Sequence, residues 1–175
     1  TWSMNPAATE YTFTLRDGLV FSGNFRAAAP VTTDDLLASI ERWRTQIGTP
    51  STVWDLAKPT LEKVDAKTFK IKPTAPFGLW VDYWAQAVTH AIPKVVLDAL
   101  GDEETLTDYT GSGPYEFVSW DPGAAAVVQR HEAYKPRSEP TSGMTGARLA
   151  LLDSVDFLEI PDAGTKVAAI QAGQI

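Results

Sequence analysis

The sequence has no cysteine among its 175 residues. This absence excludes disulfide bonds, thiolate metal sites and a cysteine nucleophile in one step. It does not locate the protein in the cell, because many exported proteins of this size have no disulfides. No run of 18 apolar residues occurs either, so the sequence predicts no membrane-spanning helix.

Basic residues are few, and they are scattered along the chain. The sequence has 15 Lys and Arg against 22 Asp and Glu, which gives a formal net charge of -7. Nucleic-acid binding needs clustered Lys and Arg that neutralise phosphates, so no nucleic-acid partner is expected. We interpret the acidity as serving solubility. The length allows one domain, or one domain and part of another.

The start of the sequence shows no signal peptide, because Thr1-Trp2-Ser3-Met4 has no basic segment followed by an apolar stretch. We therefore expect either a cytoplasmic protein or a chain whose natural N-terminus has been removed. At the other end, Ala172-Gly173-Gln174-Ile175 directly follows a predicted helix. A truncated chain explains this ending at least as well as a natural terminus does.

Motifs for catalysis and metal binding are also missing. His90 and His131 fall in no metal-binding spacing, so both are expected at the surface. Gly111 and Gly113 suggest a dinucleotide loop, but Glu116 stands where that motif needs its third glycine. The sequence contains neither a G-x-S-x-G elbow nor a Walker A motif. It therefore predicts no enzyme, no cofactor and no metal site.

Two acidic clusters remain, at Asp34-Asp35 and at Asp102-Glu103-Glu104. Carboxylates placed together can bind Ca²⁺ or transfer protons. Helix capping explains the first cluster better, because both residues fall in the first turn of a predicted helix. The second cluster follows a predicted helix stop and lacks the spacing of a calcium loop.

Alternation of apolar and polar residues predicts strands, and turn residues between them predict hairpins. Residues 11–16 form the first strand, and Asp17-Gly18 turns it back into residues 19–21. Two further hairpins and one later strand follow: 61–64 with 68–72, 115–120 with 125–130 around Asp121-Pro122-Gly123, and 154–160.

Helical spacing is clearest after Thr32, the predicted N-cap, with Asp35 three residues later as in a capping box. The apolar residues of this helix are Leu36, Ile40, Trp43 and Ile47, and Gly48 is the predicted stop. Shorter helices are predicted over 78–89, over 93–100 and after Asp162. Helices mixed with strand pairs indicate an α/β or α+β fold.

Trp54 is the candidate ligand-binding residue. Trp2, Trp43 and Trp120 fall at core-facing or strand positions, where packing is the default. Trp54 instead lies in a 48–59 connection rich in turn residues, with no periodic reason to be buried. Aromatic residues on loops often form the walls of ligand sites. Trp80 and Trp84 are weaker candidates, because helical spacing accounts for them.

Several ordered blocks resemble the family 5 extracellular solute-binding proteins, the group of dipeptide, oligopeptide and nickel binders. The most recognisable block is Gly111-Ser112-Gly113-Pro114-Tyr115, which continues to Trp120-Asp121-Pro122-Gly123. The blocks are 11–21, 30–43, 64–69, 111–123 and 155–173. The sequence departs from the usual family pattern at 22–29 and at 135–137.

The resemblance implies a mixed α/β chain with part of a class II periplasmic-binding-protein-like fold. Residues 1–110 would form the small α/β subdomain of the first lobe, and 111–175 the beginning of the return into that lobe. Members of this family are about three times longer and have a second lobe, so the chain is expected to be a fragment. Trp54 would correspond to an aromatic residue that reaches the ligand in peptide-binding relatives.

The implied function is capture of a peptide or similar small solute between two lobes and delivery to an ABC permease in the membrane. The implied location is the periplasm, or the cell exterior as a membrane-anchored lipoprotein, and a monomer is expected. Peptides, opines, sugars and metal chelates all remain open as ligands. The alternatives are a ligand-sensing domain of a regulator with the same fold and a standalone structural module.

Overall fold

The structure, a computed structural model, describes residues 1–23, 28–46, 48–84, 90–101, 105–143 and 145–175, with the backbone alone at 46, 48–51 and 83. The chain divides into two units, Thr1–Gly113 with Ala133–Lys135, and Pro114–Glu132 with Pro136–Ile175. The strands are β1 (Trp2–Met4), β2 (Tyr11–Thr14), β3 (Thr60–Lys63), β4 (Thr68–Lys72), β5 (Tyr115–Asp121), β6 (Ala125–Arg130) and β7 (Ser154–Leu158). The helices are α1 (Thr33–Gln46), α2 (Gly48–Ala57), α3 (Trp80–Trp84), α4 (Lys94–Ala99) and α5 (Ala163–Gln171).

An antiparallel sheet in the order β1-β2-β4-β3 forms the base of the first unit. The alternation along β4 buries Phe69 and Ile71, while Lys70 and Lys72 lie on the other face. The turn between β3 and β4 is fixed by Asp65, whose Oδ1 accepts the N–H groups of Lys67 (2.7 Å) and Thr68 (2.9 Å). The predicted hairpin over 61–72 is confirmed.

The predicted hairpin over residues 11–21 is wrong. Strand β2 pairs with β1 on one side and with β4 on the other, and Tyr11 lies opposite Met4 and Ile71. The chain does turn at Gly18, where φ is +73°, but Val20 then forms an isolated bridge with Pro30. Strands β1 and β4 occupy the two edges of β2, so no edge remains for residues 19–21.

The Asp35 half of the predicted capping box at the start of α1 is confirmed. Asp35 Oδ2 accepts the backbone N–H and the Oγ1–H of Thr32, both at 2.8 Å. Ile40 and Trp43 are buried, as their spacing predicts. The helix ends at Gln46, and Ile47 lies outside the described residues. Gly48, the predicted stop of α1, is the first residue of α2.

The core of the first unit lies between α1, α2, α3 and the sheet. Its buried members are Tyr11, Ile40, Trp43, Val53, Ala57, Phe69, Ile71 and Trp80. Each large apolar side chain buried here stabilises the fold by about 1.5–3 kcal/mol. Helix α3 covers part of the predicted 78–89 helix, of which 85–89 lie outside the described residues, and α4 agrees with the helix predicted over 93–100.

The second unit contains an antiparallel sheet in the order β5-β6-β7, followed by α5. The predicted turn between β5 and β6 is confirmed, because Ala124 N–H bonds to the Asp121 carbonyl (3.0 Å) and Gly123 has φ of +81°. Asp162 caps α5 as predicted, accepting the backbone N–H of Thr165 at 2.7 Å. The mixed α/β class expected from the sequence is confirmed.

Three side chains lie elsewhere than expected. His131 is buried, with 4% of its surface exposed, whereas the prediction placed both histidines at the surface; His90 is exposed. Trp2 and Trp120 are 53% and 59% exposed, although strand positions favour packing. The prediction failed for both tryptophans because a strand has two faces, and the alternation of apolar and polar residues does not show which face is covered.

Candidate functional site

Trp54 lies on helix α2, so the prediction of a loop over 48–59 is wrong. Val53 and Ala57 are buried one turn apart, which gives the helix an apolar stripe toward the core. Pro50 is compatible with this helix, because proline is tolerated in the first turn. The last turn closes with the N–H of Lys58 bonding to the Trp54 carbonyl at 2.7 Å.

The Trp54 ring is half-buried between an aromatic and a cationic neighbour. Its centroid lies 6.0 Å from that of Trp80, with an angle of 52° between the rings. The guanidinium carbon of Arg44 lies over the ring, 5.5 Å from its centroid. A cation in this position stabilises an exposed site by about 0.5–1 kcal/mol. Trp54 is therefore a helix residue whose ring packs against Trp80 and lies under Arg44.

Arg44 is oriented by a fork of hydrogen bonds to Glu41 one turn earlier. Its Nε donates to Glu41 Oε2 at 2.7 Å, and its terminal nitrogen donates to the other carboxylate oxygen. The bond to Glu41 raises the pKa of Arg44 above its ordinary value, and the nearby Asp55 carboxylate adds to this effect. The guanidinium therefore keeps its charge beside the indole at any physiological pH.

A continuous aromatic cluster lies behind Trp54. Trp80 is 1% exposed, and its ring lies 5.4 Å from Trp84 and 5.8 Å from Phe77 between centroids. Trp84 also contacts Trp43 edge-on at 5.9 Å. Among the described residues no acceptor reaches the buried Nε1 of Trp80. The structure thus brings all three candidate tryptophans together, with Trp54 next to Arg44 and Trp80 buried.

Arg44 is the residue that sequence reasoning missed. The signal was present, because Glu41 and Arg44 are three residues apart on a predicted helix and such pairs meet on its surface. What the sequence did not indicate is that α2 would fold back and place Trp54 beneath the guanidinium. Together the two side chains offer a flat apolar ring and a cation, which suits a solute with an apolar part and an anionic group.

The acidic pair at 34–35 has structural roles. Both oxygens of Asp35 are occupied, Oδ2 by Thr32 and Oδ1 by the N–H of Lys94 (2.7 Å). Asp34 forms an exposed ion pair with Lys63 at 2.7 Å. The cluster at 102–104 lies outside the described residues. Within the part of the chain that the structure describes, no group of three or more His, Asp or Glu could hold a metal ion.

None of the described helices is both long enough and apolar enough to cross a membrane.

Known proteins with similar sequences cover the whole chain. The model of the family described as bacterial extracellular solute-binding proteins, family 5 Middle, matches residues 1–175. A probable peptide ABC transporter periplasmic-binding protein of Sinorhizobium fredii is 34% identical over 189 aligned positions. That alignment covers 99% of this chain and 32% of the relative.

Solved structures of periplasmic binding proteins resemble this chain over its whole length. A periplasmic binding protein from A. tumefacien R10, in complex with agropinic acid, has a TM-score of 0.77 and 27% identity. The periplasmic binding protein DppA of Helicobacter pylori, in complex with the peptide STSA, has a TM-score of 0.78 and 22% identity. Both likenesses cover 100% of this chain, and they cover 33% and 36% of the solved chains.

The chain therefore spans about a third of the length of the relatives that it matches. The expected class II periplasmic-binding-protein-like fold, present in part, is confirmed by these likenesses, and so is the resemblance that the ordered sequence blocks indicated. Since the family model matches every residue, the chain belongs to the bacterial extracellular solute-binding proteins of family 5.

Proposed function

We propose that this chain is part of the substrate-binding component of an ABC import system. It captures a peptide or similar small solute between two lobes and delivers that solute to a membrane permease. The match of the family model to residues 1–175 carries this proposal. Family membership also favours a binding role over an enzymatic one and a location in the periplasm or, as an anchored lipoprotein, at the cell exterior.

The two units suggest how the chain would divide between parts of the full protein. The first unit, which ends at Gly113 apart from residues 133–135, would be the small α/β subdomain of the first lobe. The second unit would begin the return into the main part of that lobe. Closure on a solute needs two lobes, so the 175-residue chain alone should bind solutes weakly or not at all.

Trp54 and Arg44 are the residues that we propose to contact the solute. The indole is half-buried and held by Trp80, so it presents a rigid apolar surface that loses little conformational entropy on binding. The Arg44 guanidinium, fixed by Glu41, would orient an anionic group beside the ring. This pairing favours a solute that carries both an apolar part and a carboxylate.

A thermal-shift screen tests the transport proposal. The chain would be compared with a chimaera in which it replaces the matched region of the Sinorhizobium fredii relative. Peptides, opines, oligosaccharides and nickel chelates are the probes. A specific ligand at a hundredfold excess over Kd stabilises the native state by about 2.7 kcal/mol. A shift in the chimaera that is lost in the 175-residue chain is expected, and equal shifts in both, or none, would overturn the two-lobe proposal.

Calorimetric titration of the chimaera with the best probe tests Trp54. Trp54→Ala should weaken binding by roughly tenfold or more, as removal of an aromatic anchor does, while Trp54→Phe retains most of it. Leu56→Ala is the matched control, because Leu56 lies on the same helix and is 71% exposed. Equal affinities for Trp54→Ala and Leu56→Ala would remove Trp54 from the site but leave the transport proposal standing.

A further inference from the structure

The segment before α3 contains an aromatic residue whose backbone is held at both of its polar groups. The N–H of Phe77 bonds to the Ala8 carbonyl at 3.0 Å, and the carbonyl of Phe77 accepts the hydroxyl of Tyr11. Ala8 lies in the loop between β1 and β2, and Tyr11 is the first residue of β2. These two bonds place the backbone of Phe77 relative to the first sheet, which is distant from it in sequence.

The Tyr11 hydroxyl is suited to donating this hydrogen bond. Burial raises the pKa of Tyr11 above its ordinary value, and the Asp82 carboxylate adds to this effect. The hydroxyl therefore stays protonated at physiological pH and can donate to a carbonyl, which only accepts. Because Tyr11 is 1% exposed, water hardly competes for the bond.

The ring of Phe77 connects this bond to the candidate site. It contacts Trp80 edge-on, with 5.8 Å between centroids and an angle of 78°. Trp80 in turn packs against Trp54 at 6.0 Å and 52°. Aromatic pairs have preferred distances and angles, and close-packed side chains transmit small displacements. A shift of Phe77 should therefore move Trp80, and through it the ring of Trp54.

The same segment also holds the end of the helix that carries Trp54. The N–H and the hydroxyl of Thr74 bond to the Ala57 carbonyl at 3.0 and 3.1 Å. Ala57 is the last residue of α2, and carbonyls in a last turn have no partner within their own helix. Lys58 follows with φ of +39°, a conformation that a non-glycine residue keeps only when its surroundings impose it. Residues 74–77 thus contact both α2 and the ring behind Trp54.

We propose that Tyr11 is a positioning residue for the solute-binding surface formed by Trp54 and Arg44. Its hydroxyl, acting through Phe77 and Trp80, sets where the Trp54 ring lies. Tyr11 is buried and contributes by preorganisation, because a ring that is already in place loses less freedom when a solute binds. This role rests on the proposed contact between Trp54 and the solute.

Near-ultraviolet circular dichroism of the 175-residue chain tests the positioning without any solute. The spectrum of the wild type minus that of Trp54→Phe isolates the contribution of Trp54, which depends on its distance and angle to Trp80. The same subtraction in a Tyr11→Phe background, which loses only the hydroxyl, should give a difference spectrum of lower intensity. An unchanged difference spectrum would overturn the positioning role.

Thr33→Val is the matched control for lost stability. It removes another buried hydroxyl of the first unit, which donates to the Asp65 carbonyl at 2.7 Å and has no bond to residues 74–77. The Trp54 difference spectrum should be the same in the Thr33→Val background as in the wild type. An equal loss of intensity in the Thr33→Val and Tyr11→Phe backgrounds would show a general effect of destabilisation and would also overturn the proposal.

A double-mutant cycle in the chimaera described above tests the consequence for binding. The probe is the compound with the largest shift in the screen of peptides, opines, oligosaccharides and nickel chelates. Tyr11→Phe should weaken binding roughly threefold or more, but should change it by less than about twofold in a Trp54→Ala background. Equal losses in both backgrounds would overturn a route through Trp54. Unchanged binding in Trp54→Ala alone would instead reject the solute contact, and the spectra would still decide whether Tyr11 positions the ring.

Discussion

Asp35 accepts a hydrogen bond from the backbone N–H of Lys94 at 2.7 Å, 59 residues further along the chain. The same carboxylate accepts the N–H of Thr32 at the start of α1. Lys94 is the first residue of α4, so one side chain caps one helix and holds the beginning of another. A local capping signal therefore also fixes a long-range contact between α1 and α4.

Replacing Asp35 should destabilise the fold more than replacing its neighbour. Asp35→Ala removes the cap of α1 and is expected to lower the free energy of unfolding by about 1–2 kcal/mol. Asp34→Ala removes only an exposed ion pair with Lys63, which contributes at most about 1 kcal/mol. Urea denaturation of both variants measures the difference, and equal losses would contradict the assigned role of Asp35.

Ser39 should be intolerant of change because it joins α1 to the segment before α4. Its Oγ–H donates to the Asp35 carbonyl at 2.7 Å, and its oxygen accepts the N–H of Ile92 at 2.9 Å. Ser39→Ala would leave that buried N–H without an acceptor, at a cost of about 1–3 kcal/mol. Thr45→Ala, an exposed change on the same helix, should stay within about 0.5 kcal/mol. Equal denaturant midpoints for Ser39→Ala and Thr45→Ala would disprove this role.

Stability should fall in acid partly through Asp65. The N–H of Lys67 holds the pKa of this carboxyl below its ordinary value of 3.8, and that of Thr68 adds to the effect. A lowered folded pKa stabilises the protein above the unfolded value, and the contribution is lost as pH falls through the folded pKa. Asp65→Asn keeps an acceptor oxygen but cannot titrate, so its melting temperature should fall less than that of the wild type between pH 6 and pH 3.

Asp65→Ala distinguishes the effect of the carboxylate charge on stability from the effect of the hydrogen bonds that Asp65 accepts in the turn. This variant loses the acceptor as well as the titrating group, so it should melt below the wild type throughout the pH range. An acid-induced fall in melting temperature that is as steep in Asp65→Asn as in the wild type would show that the Asp65 carboxyl does not contribute.

Two glycines with positive φ should respond differently to alanine. A Cβ at Gly146, where φ is +75°, would lie 2.0 Å from the Pro140 carbonyl oxygen, whereas a Cβ at Gly123, where φ is +81°, would meet no atom within 4 Å. Gly123→Ala therefore incurs only the left-handed backbone penalty of about 1–2 kcal/mol. Gly146→Ala must also shift the backbone, so its melting temperature should fall further. Equal melting temperatures would show that the backbone around Gly146 and Pro140 shifts without cost.

The sequence by itself determined the features that depend on neighbours within a few residues. The Thr32–Asp35 cap, the Asp65 turn, the Asp121–Gly123 turn and the Asp162 cap were all predictable. Each rests on a side chain or a backbone conformation that acts over two to four positions, so a short window contains all the relevant information. The ordered blocks of residues also carried enough information to indicate the family.

Tertiary structure decided the features that depend on distant partners. The pairing of Tyr11 with Ile71 could not be read locally, because a strand pattern states the period of the side chains but not the identity of the neighbouring strand. Trp54 was expected on a loop, yet packing of Val53 and Ala57 against the core makes that segment helical. The position of Arg44 over Trp54 follows from the same packing, since two helices must meet before the ring and the guanidinium can.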